Sequence, residues 1–436
     1  MKQSAAFFMA VFIIVLSLLT GCKTRERGAD LFSEKWDVSK SLVKPEYPVK
    51  KYGSDEERWE AERKLQIEDD FCDAVNHFAY ETAQELFSRE EPNGIYSPMS
   101  LYFAMSVAAA GADGQTRQEL LNILGYEEEK KLAKDCKGAF TAIYQDKDDY
   151  QFQIASSVWI DEHYSVKEEF LEHVKDRYFA EVFQTDFSSE NARDDMARWV
   201  SNYTHGLLKP SVDQKEGQVL SLIHTIYYKD QWLDQFEKDK TQEGIFTCGD
   251  KSKVTCDYMN RTLGSHWFIK GENYTVSGLP LKNGSVEILL PDRGEDLWQF
   301  LESEGMLEAV FDRENGESMY GEVVWQIPKF SYGSSYGLEE ILKKLGVTAA
   351  FSSETADFSG ISQEPVWIDS VVQSTHIGID ENGVQAASFT QMDWAGEAMP
   401  QGRAEMILDR PFLYVVKDKG CLIFMGICGN PVSDGS

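Results

Sequence analysis

Positive charge is short relative to negative in this 436-residue sequence: 43 Lys and Arg stand against 73 Asp and Glu, a net charge of −30. A surface of that sign repels nucleic acid and anionic lipid alike. The stretch Glu127 to Lys137 is of mixed sign and offers no basic helix for a polyanion. Cysteine is sparse and unpatterned. Cys22, Cys72, Cys136, Cys248, Cys256, Cys421 and Cys428 include no C-x-x-C pair and no Cys/His zinc spacing. Cys248 and Cys256 flank the turn Gly249-Asp250-Lys251-Ser252 and could meet across a hairpin. Cys421 and Cys428 are an odd number apart and face opposite sides of any one strand. No disulfide framework is expected. His77, His163, His173, His205, His224, His266 and His376 include no pair at metal spacing on one helix face. Neither a metal nor another cofactor is expected. Internal repeats are absent as well. What is present is globular material, 42% hydrophobic and 12% aromatic, enough for one large domain or two ordinary ones.

The long apolar run lies at the start. Lys2 precedes Ala5 to Leu19, about the length of a signal-peptide core and short for a membrane span. It ends Leu19-Thr20-Gly21-Cys22, which resembles a bacterial lipobox. That resemblance implies cleavage before Cys22, acylation of Cys22 and firm anchoring through several acyl chains. Residues 1–21 are then a lipoprotein signal peptide. Residues 22–66 are polar, Lys/Glu-rich and carry Pro45 and Pro48; they read as a flexible tether. Residues 67–436 read as a single domain. The expected location is the bacterial cell envelope, outside the cytoplasm, lipid-anchored at the outer membrane or cell surface.

The domain is organised around Asp380 to Pro411. From Val384 to Asp393 the residues alternate. Val384, Ala386, Ser388, Thr390 and Met392 form one face, and Gln385, Ala387, Phe389, Gln391 and Asp393 the other. Period two means a strand with one buried face. Gly396, Pro400 and Gly402 then break the pattern and read as exposed loop. A segment suited to a sheet interior, joined to one suited to a loop, points to a strand that is not always in its sheet. Elsewhere, residues 67–89 carry Phe71, Val75, Phe78, Ala79, Thr82 and Leu86 at helical spacing. Asn93-Gly94 is a turn, and the small-residue run Leu101 to Gly111 is expected as a buried helix. Thr116 and Glu119 have capping-box spacing. Val219 to Trp232 is a β-branched and aromatic central strand ending in a tryptophan. Gly278 to Pro291 holds a strand pair with Asn283-Gly284 as its hairpin. Leu338 to Gly346 is a short helix, and Phe412 to Val416 and Leu422 to Cys428 close the chain as apolar strands.

These blocks, in this order over roughly residues 70–432, resemble the serpin family. Gly383 followed by Val-Gln-Ala-Ala-Ser-Phe-Thr resembles the hinge of the serpin reactive-centre loop. Arg410-Pro411-Phe412 resembles the point where such loops rejoin the body. NGIYSPMSLYFAMSVAAAGADGQTRQELLNILG looks like the segment around the family's buried helix, and Thr355 to Ser362 is a further matching block. The resemblance implies an α+β fold with three β-sheets, about eight or nine helices and an exposed reactive-centre loop. It implies no enzyme, but a monomeric suicide-type inhibitor of serine endopeptidases, with cysteine endopeptidases as a second class. The protease cuts the loop, the freed strand enters the central sheet, and the protease is trapped.

The resemblance also assigns residues. The hinge is Glu381, Gly383, Val384, Ala386, Ala387 and Ser388. Counting about fourteen residues past Gly383 puts the reactive bond at Glu397–Ala398, with Gly396 or Met399 taking the place of Glu397 if the register slips. The sheet-opening region is Ser97, Ser100, His224, Gln373 and Trp232. His224 stands where asparagine is usual and Gln373 where histidine is usual. The two are expected to hydrogen-bond to each other, since each can donate and accept. The alternative is a non-inhibitory binding protein on the same fold, cleaved only as a substrate.

A rival of a different class is an esterase. Gly333-Ser334-Ser335-Tyr336-Gly337 matches G-x-S-x-G, and Asp369 and His376 follow in hydrolase order. Asp369 and His376 fall on one predicted strand, however, and no oxyanion loop precedes them. The motif is expected to be the turn between a strand and a helix.

Overall fold

The computed structural model describes residues 36–49, 65–87, 91–147, 150–208, 217–303, 305–311, 318–384 and 402–433. Cys22, Ala386, Ala387, Ser388, Glu397 and Ala398 lie outside the described residues, as do the expected signal peptide and much of the expected tether. In chain order the elements are β1 (Lys40–Val43), α1 (Asp69–Leu86), β2 (Asn93–Tyr96), α2 (Pro98–Gly111), α3 (Gly114–Ile123) and α4 (Glu129–Ile143). Next come β3 (Gln145–Asp146), β4 (Gln151–Asp161), α5 (Glu168–Tyr178), β5 (Ala180–Thr185), α6 (Glu190–Tyr203) and β6 (Leu220–Gln231). They continue with β7 (Gln242–Thr247), β8 (Lys253–Lys270), β9 (Tyr274–Pro280), β10 (Gly284–Pro291), α7 (Leu297–Leu301) and α8 (Met306–Phe311). The chain ends with β11 (Met319–Pro328), β12 (Phe330–Gly337), α9 (Glu339–Lys344), β13 (Ser370–Asp380), β14 (Gly383–Val384), β15 (Arg403–Ile407), β16 (Phe412–Asp418) and β17 (Cys421–Cys428).

The large sheet runs β1-β5-β4-β6-β14-β13-β12, with β3 on the side of β4. The remaining strands form a path β15-β11-β8-β9-β10-β16-β17-β2 with β7 on β8. Strand β8 bends between two parts of that path: Tyr258 to Phe268 pair with β11, and Ile269 and Lys270 pair with β9. Helix α2 lies under the large sheet, and every residue but Ala110 is buried. Its start follows from its sequence. Ser97 caps it by accepting from Ser100 N at 3.2 Å, and Pro98 sits in the first turn, where its missing N–H costs nothing. Phe103 of α2 stacks on the His224 ring with centroids 6.2 Å apart, which seats β6 on the helix. On the other side the core joins the two sheets through Tyr332 Oη···Tyr414 Oη at 2.8 Å.

Three local expectations change. Residues 37–49 are not tether. Asp195 of α6 accepts from the backbone N–H groups of Asp37, Val38 and Ser39 at 3.0, 3.2 and 2.9 Å. Strand β1 then pairs with the edge of β5, and the Tyr47 ring stacks on Tyr144 at 5.2 Å. A polar composition concealed a strap whose donors are met by one buried carboxylate. Cysteine is also used structurally: Cys72 of α1 and Cys421 of β17 form a disulfide across a sequence separation of 349. Cys248 and Cys256 remain free and buried, because Cys256 faces Gly244 across the hairpin while Cys248 closes the turn onto Ser252. Finally, the capping box does not form. Asp113 caps α3, and Glu119 instead accepts from the N–H groups of Thr348 and Ala349 at 2.7 and 2.8 Å.

Candidate functional site

Strands β6 and β13 run parallel and are hydrogen-bonded only at one end, through Ser370↔Ser221, Val371↔Leu222 and Val372↔Ile223. Beyond that they part. At the far end the two residues of β14 fill the space between them. Gly383 pairs with Asp380 and Gln231, and Val384 pairs with Ile379 and Asp230. Between these ends, residues 224–229 of β6 and 373–378 of β13 face each other with no strand between them among the described residues. Ile226, Tyr227, Tyr228, His376, Ile377, Gly378 and Val384 line this slot, with Phe424 below.

The turn that delivers β14 into the slot is tightly held. Trp232 is 1% exposed; its indole N–H donates to Asp380 O at 2.8 Å and its backbone N–H to Asn382 O at 3.1 Å. Glu381 accepts from Thr241 Oγ1 at 2.8 Å and pairs with Lys329 Nζ at 3.1 Å. Burial pushes the Glu381 carboxyl up, but its own N–H, Thr241 and Lys329 outweigh that and leave it below the ordinary range. Gly383 has φ +147°, and a Cβ there would lie 2.5 Å from both Asp230 O and Gln231 Cα. Only a residue without a side chain lets β14 enter so close to β6.

At the paired end of the slot, Gln373 reads the backbone of Ser97 with both ends of its amide. It accepts from Ser97 N at 2.8 Å and donates to Ser97 O at 2.9 Å. Ser97 Oγ donates to Ile423 O at 2.7 Å, and Ser100 Oγ is buried without a partner. His224 takes the next rung of β6, yet no hydrogen bond joins it to Gln373. This corrects the expected pair. Its Nδ1 lies 2.8 Å from Ser156 Oγ on the neighbouring strand β4, and its Nε2 is buried without a partner. Burial drives the imidazole pKa down to about 3, so the ring is neutral. Ser97, Ser100 and Gln373 are thus one cluster, His224 faces β4, and Trp232 lies at the β14 end of the slot. Ser156 was missed, although it shares the inward face of its strand with Ile154 and Val158.

The chain re-enters a sheet earlier than Arg410. Strand β15, from Arg403, already runs parallel to β11, so the segment between the two anchored ends is 385–402. Arg410 is fixed on the body by its Nε donating to Pro291 O at 2.8 Å. The hydrolase motif has no triad geometry. Gly333 to Gly337 lie on β12 rather than in a turn. Ser335 Oγ meets Ser374 Oγ at 3.0 Å, His376 Nε2 meets Ser331 Oγ at 3.1 Å, and Asp369 accepts from Val219 N at 2.8 Å.

Known proteins share this architecture. A serpin-like protein of Methanosarcina acetivorans is 28% identical over 379 residues, covering 83% of this chain and 88% of that one. Mouse neuroserpin is 29% identical over 361 residues, covering 78% and 87%. The crystal structure of the thermophilic serpin tengpin in its native state superposes with a TM-score of 0.75 at 23% identity, covering 90% of this chain and 100% of that one. Residues 73–431 match the family described as Serpin (serine protease inhibitor), and the chain belongs to it.

Proposed function

We propose that this serpin is a suicide-type inhibitor of serine endopeptidases, with cysteine endopeptidases as a second class. One observation carries the reading: β14 is already paired on both sides at the mouth of a slot that no other described strand fills. Continuing its register one residue at a time would place Ala386 between Tyr228 and Ile377, Ser388 between Ile226 and Thr375, and Thr390 between His224 and Gln373. These are the small, uncharged residues of the inward face. The Thr390 hydroxyl would reach the rung where His224 Nε2 now has no partner. Each backbone hydrogen bond gained is worth about 0.5–1.5 kcal/mol, so the open form is held kinetically. Serpins in general release stored strain by adding their cleaved loop to the sheet as a strand.

Cleavage at Glu397–Ala398 would free the strand and identify the target as glutamyl-specific. Acylated Cys22 would hold the inhibitor at the outer membrane or cell surface of a bacterial envelope, as a monomer. The test is incubation of the full chain with a glutamyl endopeptidase. An SDS-stable complex, a carboxy-terminal peptide beginning at Ala398 and a raised melting temperature of the cleaved form are expected. Cleavage without complex or stabilisation favours the non-inhibitory binding protein.

A further inference from the structure

Tyr228 stands on the inward face of β6, at the top of the slot. Its hydroxyl lies 3.2 Å from Asp230 Oδ2 and 3.3 Å from Asp418 Oδ2. One phenolic proton shared between two carboxylates makes two weak contacts. A proton on one carboxyl, donated to the phenol oxygen, leaves the phenolic proton free for the other and makes both full hydrogen bonds. Both acids are buried, Asp230 at 0% and Asp418 at 1% exposure.

The two are unequally served. Asp230 accepts from Gln231 N at 2.8 Å, Asn283 N at 2.9 Å, Asn283 Nδ2 at 3.1 Å and Gly284 N at 3.1 Å. Asp418 Oδ2 has Tyr150 Oη at 2.7 Å, and Asp418 Oδ1 is without a partner. Lys282 and Lys419 line the cavity of about 210 Å³ beside it, with Tyr150 and Gln145. Lys417 turns away to Glu287 at 3.5 Å, and Glu381, across the hinge, is held by Lys329. The proton therefore belongs on Asp418. Burial, with help from Asp230, pushes its carboxyl up to about 7 against the pull of Tyr150, Lys419 and Tyr228. Burial also raises Asp230, against its four N–H donors.

The same end of β6 carries the hinge. Val384 pairs with Asp230 and Gly383 with Gln231, while Lys282 N donates to Gln231 O at 2.8 Å. We propose that Asp230, Tyr228 and Asp418 form a proton-operated latch on the mouth of the slot. With one proton on Asp418 the three side chains bridge β6 to the turn after β9 and the turn after β16. Without it, two carboxylates face one phenol, and the end of β6 loosens together with the hinge paired to it. A folded-state carboxyl raised from 3.8 to about 7 gives stability that is whole below the unfolded value and lost as pH rises through about 7.

The latch rests on the pairing of β14 and not on the inhibitory reading, and its test uses no protease. Hydrogen exchange of the full chain is followed at pH 5.5 and 8.5, corrected for intrinsic rates, in peptides covering 226–232 and 379–384. Wild-type protection there is expected to fall at least threefold at the higher pH, while β11 peptides stay constant. Asp418→Asn keeps the low-pH protection at both pH values. Tyr150→Phe removes the donor that favours the charged carboxyl and moves the transition to higher pH, which keeps the test sharp if Asp418→Asn does not fold. A wild-type hinge indifferent to pH, an Asp418→Asn chain that responds like wild type, or a transition unmoved by Tyr150→Phe would each overturn the latch.

Discussion

Gly383 lies against the backbone of Gln231 so closely that a Cβ on it would come within 2.5 Å of Gln231 Cα. The obstructing atoms are all backbone, so no rotamer change relieves the contact. Gly383→Ala is expected to eject β14 from between β6 and β13 or to strain the fold by about 1–3 kcal/mol. Urea denaturation gives the cost, and hydrogen exchange of residues 379–384 gives the ejection. A variant with wild-type stability and wild-type protection at the hinge contradicts the close approach.

His224 and Asp418, at opposite ends of the slot, titrate with opposite consequences. Burial holds His224 down to about 3 from its ordinary 6.5. The unfolded chain therefore takes up the proton first. The stability of the neutral ring is whole above about 6.5 and is lost as pH falls towards 3. At about 1.36 kcal/mol per pH unit this amounts to a few kcal/mol across the window. His224→Asn is expected to flatten the fall in urea midpoint between pH 7 and 4.5. An equal fall in both proteins would mean that the imidazole is not what titrates.

The legible parts were those whose signals are local. Strand β6 announces itself by β-branched and aromatic residues ending at Trp232. The β9–β10 hairpin follows from Asn283-Gly284, and Gly383 stands where β14 enters beside β6. Fold class and family followed from the order of such blocks. Misreadings arose where a side chain serves backbone far away. Glu119 looks like a capping-box acid but spends its carboxylate on Thr348 and Ala349. Gln373 and His224 were expected to bond to each other, yet each is satisfied by a different element: Ser97 precedes α2 and Ser156 lies on β4. The Asp230–Tyr228–Asp418 cluster carries no short-range signature, because Asp418 is 190 residues from Tyr228.

The strap of residues 37–49 makes a separate prediction. Asp195 is fully buried. Burial raises its carboxyl, but the N–H groups of Asp37, Ser39 and Val38 and the Ser39 hydroxyl more than offset this and hold it below the ordinary range. Arg198 Nη1 adds an ion pair at 3.0 Å. Asp195→Ala leaves those donors without their acceptor and is expected to cost about 2–4 kcal/mol. Exchange of residues 37–43 should rise at least tenfold while that of β4 does not. Unchanged protection of the strap would show that β1 is held by β5 alone.

The Cys72–Cys421 disulfide joins the first helix of the domain to its last strand. A cross-link closing so long a loop restricts the unfolded chain and contributes about 2–5 kcal/mol. Cys72 is 7% exposed and Cys421 0%, so a soluble thiol reaches the bond only when α1 lifts from β17. Reduction is therefore expected to be slow in buffer and fast in sub-denaturing urea, followed by alkylation and mass measurement. Cys72→Ser with Cys421→Ser should lower the urea midpoint and raise exchange of the β16–β17 turn, which Cys421 closes opposite Asp418. Rapid reduction of the folded protein in buffer would place the bond at an accessible surface and contradict this packing of α1 on β17.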